Sequence, residues 1–255
     1  MVKYDKNKEY VLFFEGQYTL ASLEFRKYLR LKYPRCKIIF HLGDFIKTKT
    51  GIDIDNIKAF ADFVVTYDHN DANEYQLTYH ANAYTSLPKE MLDGQFERCD
   101  IIFYGYAKNR ADDIMRVYDK LKFSHIKCDF NIPDLKKEYS INRPELANAH
   151  FTPYLEYLKR VQNTDCILEI IQKGSRGCTF RTWEAIAYNK KLITNNPCVV
   201  EEKFYNPQFI QVIDTIDSLD VDWIKQDVKV DYGFADDLSP RACFEYYLEQ
   251  LRQKE

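Results

Sequence analysis

Residues 166–196 read CILEIIQKGSRGCTFRTWEAIAYNKKLITNN. The first six form an apolar, β-branched run whose length suits a buried strand. A loop carrying Gly174 and Gly177 follows. From Thr179 the period changes, because Phe180, Trp183, Ala187 and Tyr188 recur at spacings of three and four, as on one face of a helix. Thr179 suits its N-cap. Asn189, Lys190 and Lys191 stop the helix, and Leu192, Ile193 and Thr194 begin another strand. The stretch is a βαβ step.

A strand, a glycine loop and a helix start leave backbone N–H groups unpaired and aimed at one point, and the helix dipole reinforces them. Such points bind anions, phosphate above all. Arg181 in the first turn adds a planar, always-charged fork suited to a diphosphate. Glu184, three residues on, can accept two hydrogen bonds from a ribose or hexose diol. Together they describe a nucleotide-sugar site. The same spacing also suits an exposed i,i+3 ion pair worth a few tenths of a kcal/mol, and the residues alone leave both readings open.

The segment Gly177-Cys178-Thr179-Phe180-Arg181-Thr182-Trp183-Glu184, followed by Lys190-Lys191-Leu192-Ile193-Thr194-Asn195-Asn196, resembles the donor-binding segment of bacterial glycosyltransferases of lipopolysaccharide-core and capsule biosynthesis. In that family G-L-T-x-R-x-x-E and a later K-K-L-I-T-x-N recur in the C-terminal half of a two-Rossmann GT-B fold. Phe204-Tyr205-Asn206-Pro207 and Phe209 to Ile213 are similar to the next loop and strand. Residues 61–84, ADFVVTYDHNDANEYQLTYHANAY, resemble the segment that closes the N-terminal domain. Cys178 stands where the family has leucine. Arg176 takes the place of the first glutamate in the two-glutamate motif of many retaining members, so retention or inversion of the anomeric centre stays open.

The resemblance implies an α/β protein of two Rossmann-like domains. The N-terminal domain (1–95) would be reduced and bind acceptor, the C-terminal domain (96–238) would bind the nucleotide-sugar, and a last helix (239–255) would cross back. It implies a metal-independent transferase that moves a sugar from a nucleoside diphosphate-sugar, a substrate rather than a cofactor, to a glycan or glycolipid of the lipopolysaccharide or capsule type. The Gly177, Thr179 and Arg181 helix start would hold phosphate with Arg110 and Lys173, and Glu184 would hold sugar hydroxyls. A non-catalytic nucleotide-sugar-binding or scaffold subunit of a glycan-assembly complex is the alternative.

The rest of the chain carries two further candidate regions. Strands expected at residues 10–14 and 37–42 end in Glu15-Gly16-Gln17 and His41-Leu42-Gly43-Asp44. Ligands gather at the carboxyl ends of parallel strands, which makes Glu15 and Asp44 candidates for the base that deprotonates an acceptor hydroxyl, with strand-end hydrogen bonding and capping as their structural alternatives. A helix of about fifteen residues ending near Tyr33 would present Leu20, Leu23, Phe25, Leu29 and Leu31 on its apolar face. A third strand is expected at 62–68 and a fourth at 79–84. Residues 100–104 begin the second domain, and Gly105 with the basic loop to Arg110 repeats the phosphate-binding pattern. Further expectations are a strand at 123–130, an irregular loop at 131–148, an amphipathic helix at 151–161, a helix at 218–226 and a final helix at 240–253. Asp53-Ile54-Asp55 has the letters of a metal-binding Asp-x-Asp, but it follows a turn rather than a strand and suits a helix cap.

Composition narrows the classes further. With 36 basic and 39 acidic residues the net charge is -3, which gives no reason to expect nucleic acid. Seven scattered cysteines form no C-x-x-C pair and fit reduced thiols in a cytoplasm. No segment has the length of a membrane span. Peripheral attachment at the inner face of a membrane and a homodimer contact through the last helix are both open to such a chain.

Overall fold

A computed structural model of the chain describes residues 5, 7–16, 18–48, 52–234 and 238–253. Gln17, residues 49–51 at the end of the turn before Asp53 and residues 235–237 before the last helix lie outside the described residues. The chain divides into two compact units, residues 1–83 with 237–255, and residues 84–236.

The first unit runs β1 (Tyr10–Glu15), α1 (Leu23–Lys32), β2 (Cys36–Leu42), α2 (Ile54–Phe60), β3 (Phe63–Thr66), α3 (His69–Tyr75) and β4 (Thr78–Tyr79). Its four strands are parallel, in the order β1-β2-β3-β4. β2 is apolar nearly throughout because both of its faces are covered. Ile38, Phe40 and Leu42 pack with Leu29, Ile57 and Phe60 on one face. Ile39 joins Phe63 and Val65 on the other, where the C-terminal helix Pro240–Gln253 lays Cys243, Tyr247 and Leu251 against them. That alternation is the two-residue period of a strand.

Two expectations are corrected in this unit. The fourth strand pairs only at Thr78–Tyr79. α1 has ten residues, started by the Ser22 hydroxyl accepting from Phe25 N at 3.1 Å. Its expected apolar face is split: Leu29 is buried and Phe25 packs inward, while Leu20, Leu23 and Leu31 are exposed. Leu31 lies two residues beyond Leu29, about 200° around the helix, so the two cannot share a face.

The second unit runs β5 (Cys99–Tyr104), α4 (Ala111–Phe123), β6 (Cys128–Asn131), α5 (Lys137–Ser140), α6 (Tyr154–Gln162), β7 (Thr164–Glu169), α7 (Phe180–Ala187), β8 (Lys191–Thr194), β9 (Ile210–Val212) and α8 (Asp222–Lys225). All five strands are parallel, in the order β6-β5-β7-β8-β9. Ile101, Phe103 and Leu168 pack against α4 residues on one face, and Ile102, Ile167 and Leu192 against α6 residues on the other. The expected strand at 123–130 shrinks to four residues because α4 continues to Phe123 and a left-handed residue, His125 at φ 58°, makes the turn. The helix expected at 218–226 is only Asp222–Lys225, and the 131–148 loop contains α5 and a turn of 3-10 helix at Pro144–Leu146.

The fold is thus α/β with two parallel sheets, the first unit smaller than the second, and the last helix returns to the sheet of the first unit. In the second sheet the chain moves from β5 to one neighbour, β6, and later to the opposite one, β7. That reversal opens a crevice at the carboxyl ends of β5 and β7. Among the described residues no helix is long and apolar enough to cross a membrane.

Candidate functional site

A pocket of about 320 Å³ sits at this end of the second sheet, large enough for a small-molecule ligand. Tyr104 and Gly105 at the end of β5, Asn131 at the end of β6, Tyr154 and Tyr157 of α6, and Phe180, Arg181 and Glu184 of α7 line it. Half of its lining residues are aromatic, and Arg181 and Glu184 supply the charge.

Arg181 is placed by a missing side chain. Gly105 has a φ of +152°, and a Cβ there would collide with Nη2 of Arg181. The glycine therefore serves both its own backbone and the guanidinium beside it. Nη2 donates to the carbonyl of Tyr104, and the guanidinium carbon lies 5.0 Å from the centre of the Phe103 ring, a cation–π contact. Nε is buried with no partner among the described residues, so one strong donor is unsatisfied at the pocket.

Glu184 is 2% exposed. The Tyr157 hydroxyl donates to its Oε2 at 2.7 Å and the Tyr154 hydroxyl to its Oε1 at 3.0 Å. Burial raises its pKa to about 7 against the opposing pull of the Tyr157 hydrogen bond, the Arg181 charge and Tyr154. The exposed ion-pair reading of Arg181 and Glu184 is therefore corrected: the carboxylate is inside and its partners are tyrosines.

The start of α7 holds an anion of the protein's own. Glu169, the last residue of β7, is 1% exposed. Its Oε1 accepts from the hydroxyls of Thr179 at 2.5 Å and Thr182 at 2.8 Å and from Thr179 N at 3.3 Å, and its Oε2 accepts from the Thr194 hydroxyl at 2.6 Å. Thr179 does cap the helix, since its hydroxyl accepts from Arg181 N at 3.2 Å. Its hydroxyl proton and N–H, however, serve Glu169 rather than a ligand. The carboxylate takes the favourable end of the helix dipole that the sequence suggests for phosphate.

Of the seven expected donor-site residues, the pocket brings together Gly105, Arg181 and Glu184. Arg110 differs from expectation, because its guanidinium donates to the carbonyls of Ala107, Ile170 and Tyr106 and so ties the loop after β5 to the end of β7. Gly177 is buried and its carbonyl accepts from Asn196 Nδ2 at 3.1 Å. Lys173 is exposed and does not line the pocket. Sequence reading missed the aromatic wall and Glu169. Tyr154 and Tyr157, three apart on one helix, were the signal for the first; a lone carboxylate inside an apolar strand was the signal for the second.

In the first unit Glu15 Oε1 lies 3.2 Å from His41 Nδ1, at paired positions on β1 and β2. This hydrogen bond and the imidazole charge lower the pKa of Glu15 against the opposing effect of burial. The Glu15 side chain is 55% exposed, whereas His41 is buried and its Nε2 has no partner among the described residues. Asp44 sits half-buried in the loop after β2; burial of the Tyr18 hydroxyl, with the nearby Asp44 charge second, pushes that hydroxyl up to about 12. Asp53 caps α2, its Oδ1 accepting from Asn56 N at 3.0 Å.

No family model matches the chain, and no curated protein matches it in sequence. Solved structures do match in fold. The catalytic domain of starch synthase IV from Arabidopsis thaliana, bound to ADP and acarbose, is similar at a TM-score of 0.59 and 9% identity, over 95% of this chain and 72% of that one. An α-glucosyltransferase in complex with UDP-glucose and DNA containing an abasic site gives 0.52 and 10%, over 95% and 80%. The glycosylation-associated Gap123 complex of Streptococcus agalactiae gives 0.50 and 11%, over 96% of this chain and 53% of that one. The chain thus spans about half the length of the Gap123 chain it matches. At these identities the likeness concerns the fold alone, which is GT-B-like in having two Rossmann-like units.

Proposed function

We propose that the chain is a glycosyltransferase that moves a sugar from a nucleoside diphosphate-sugar to a surface-glycan acceptor of the lipopolysaccharide or capsule type, without a metal. The observation that carries this reading is the aromatic pocket at the switch point of the second sheet, with Arg181 and Glu184 as its charged groups. Arg181 would hold the diphosphate, presenting a fixed cation to the charge that develops as the sugar departs. Exposed Lys173 would add a second cation from the loop before α7. Glu184 would accept from sugar hydroxyls, and the tyrosines would stack on a flat ring. The fold likeness to enzymes whose structures hold ADP or UDP-glucose supports a donor of that class.

Glu15 would serve as the base toward the acceptor hydroxyl. It is accessible, ionised at neutral pH and oriented by His41. Asp44 is the second candidate in the same unit.

Thermal unfolding with UDP, GDP, CDP, dTDP and CMP, each with and without EDTA, tests the reading. A ligand at about 100 times its Kd stabilises by about 2.7 kcal/mol, a shift of several degrees. The expected result is an EDTA-resistant shift from one diphosphate that Arg181→Ala removes. A shift lost in EDTA would replace this reading with a metal-dependent one, and binding without turnover of any sugar donor would replace it with a non-catalytic binding subunit.

A further inference from the structure

β5 and β6 pair with Ile102 opposite Asp129 and Tyr104 opposite Asn131. Side chains alternate along a strand, so Tyr104 and Asp129 stand diagonally on one face of the sheet, the face that α6 covers. The Tyr104 hydroxyl donates to Asp129 Oδ1 at 2.9 Å. Burial, with the Asp129 charge second, raises the pKa of that hydroxyl and keeps it a donor. Arg160 of α6 reaches the other oxygen: its Nη1 donates to Asp129 Oδ2 and its Nη2 to Glu156 Oε1, each at 3.3 Å. The guanidinium carbon lies 4.4 Å from the centre of the Phe96 ring and 5.7 Å from that of Tyr104. Neither Asp129 nor Arg160 lines the pocket.

Asp129 and Arg160 are partly exposed, and such a pair contributes little to stability by itself. What Tyr104 touches gives the arrangement a consequence. Its carbonyl accepts from Nη2 of Arg181. Its ring lies 5.5 Å from that of Tyr157, whose hydroxyl donates to Glu184 Oε2 at 2.7 Å. Tyr104 thus adjoins the supports of both charged groups of the pocket, and its own hydroxyl is tied by a charge-assisted hydrogen bond, stronger than a neutral one.

We infer that Asp129 is a positioning residue of the pocket, holding Tyr104 so that its carbonyl meets Arg181 and its ring backs Tyr157. Asp129 acts through Tyr104, and Arg160 fixes its second oxygen. The inference rests on the reading of Arg181 and Glu184 as the groups that hold the donor, but its readout needs no nucleotide.

The test follows the Glu184 carboxyl by carbon-13 NMR through a pH titration of the whole chain, the resonance being assigned by its loss in Glu184→Gln. The Tyr157 hydrogen bond and the Arg181 charge both hold the Glu184 pKa down, so loosening either moves the midpoint up. Asp129→Ala and Tyr104→Phe should each raise it by about 0.5 pH, a roughly three-fold change in proton affinity. The double variant should go no further than either single one. Removing the Asp129 charge would by itself move the midpoint the other way, and Asp129→Asn, which keeps an acceptor for the hydroxyl, should stay near the wild type. A mere fastening of α6 to the sheet would lower Tm in Asp129→Ala and leave the midpoint in place. That result, a midpoint unmoved in Tyr104→Phe, or a further rise on adding Asp129→Ala to Tyr104→Phe would each overturn the inference. Should Asp129→Ala fail to fold, Tyr104→Phe, which removes only the hydroxyl, decides alone. If the midpoints move as expected while no nucleoside diphosphate shifts the melt, the donor reading fails and the positioning role stands.

Discussion

The guanidinium of Arg181 occupies the space that a side chain on Gly105 would fill. Two residues 76 positions apart in sequence are thereby one functional unit. Gly105→Ala should displace the arginine and reproduce Arg181→Ala, each weakening nucleotide binding about ten- to a hundred-fold, as loss of a charge-assisted hydrogen bond does. The double variant should be no worse than either single one. Titration calorimetry with the diphosphate found in the melting panel measures all three.

Glu184 makes stability depend on pH. Its folded pKa of about 7 lies above the ordinary 4.5, so between those values the folded chain holds a proton that the unfolded chain has released. Stability should therefore fall as pH rises through this window, by up to a few kcal/mol, and level off above it. Glu184→Gln should flatten the profile. Urea melts of both proteins across this pH range show the difference directly.

Glu169 holds α7 to the ends of β7 and β8 through three threonine hydroxyls. Glu169→Ala removes the acceptor of those three hydroxyl protons, at about 1 kcal/mol each, and should lower Tm by several degrees. Thr194→Val, which removes one partner, should cost less. Calorimetric melting compares them.

Arg110 is expected to behave unlike Arg181. Its donors serve three carbonyl oxygens, so Arg110→Ala should lower Tm while donor affinity, measured well below the melt, stays within a few-fold of wild type. An affinity loss as large as that of Arg181→Ala would return Arg110 to the diphosphate.

The Glu15–His41 pair sets the acid limb of the proposed reaction. His41 holds the Glu15 carboxylate below its ordinary range, which keeps a base ionised to lower pH. His41→Asn should move the acid limb of kcat/KM upward in pH, and Glu15→Gln should abolish the limb together with most of the activity. The pH–rate profile reads both.

Local pattern was enough for the α/β class, the βαβ step at 166–196 and the cap at Thr179, because strand and helix periods, caps and glycine loops are short-range physics; for Arg181 and Glu184 it left a ligand pocket and a surface ion pair both open. The split of α1 was legible too, in the two-residue offset between Leu29 and Leu31. What a phosphate-loop pattern could not reveal is which anion sits at the helix start. That depends on Glu169 from one strand meeting Thr179 and Thr182 at the start of α7 and Thr194 at the end of β8, and a buried carboxylate is stable there only when all of them converge. The same holds for the tyrosines that hydrogen-bond the buried Glu184, and for Gly105, whose importance lies in an arginine 76 residues away. Sequence determined which groups the chain owns and how each segment folds; the tertiary structure decided which charges line the pocket and which are held by groups of the chain itself, because desolvation and hydrogen-bond partners arise only when distant segments pack.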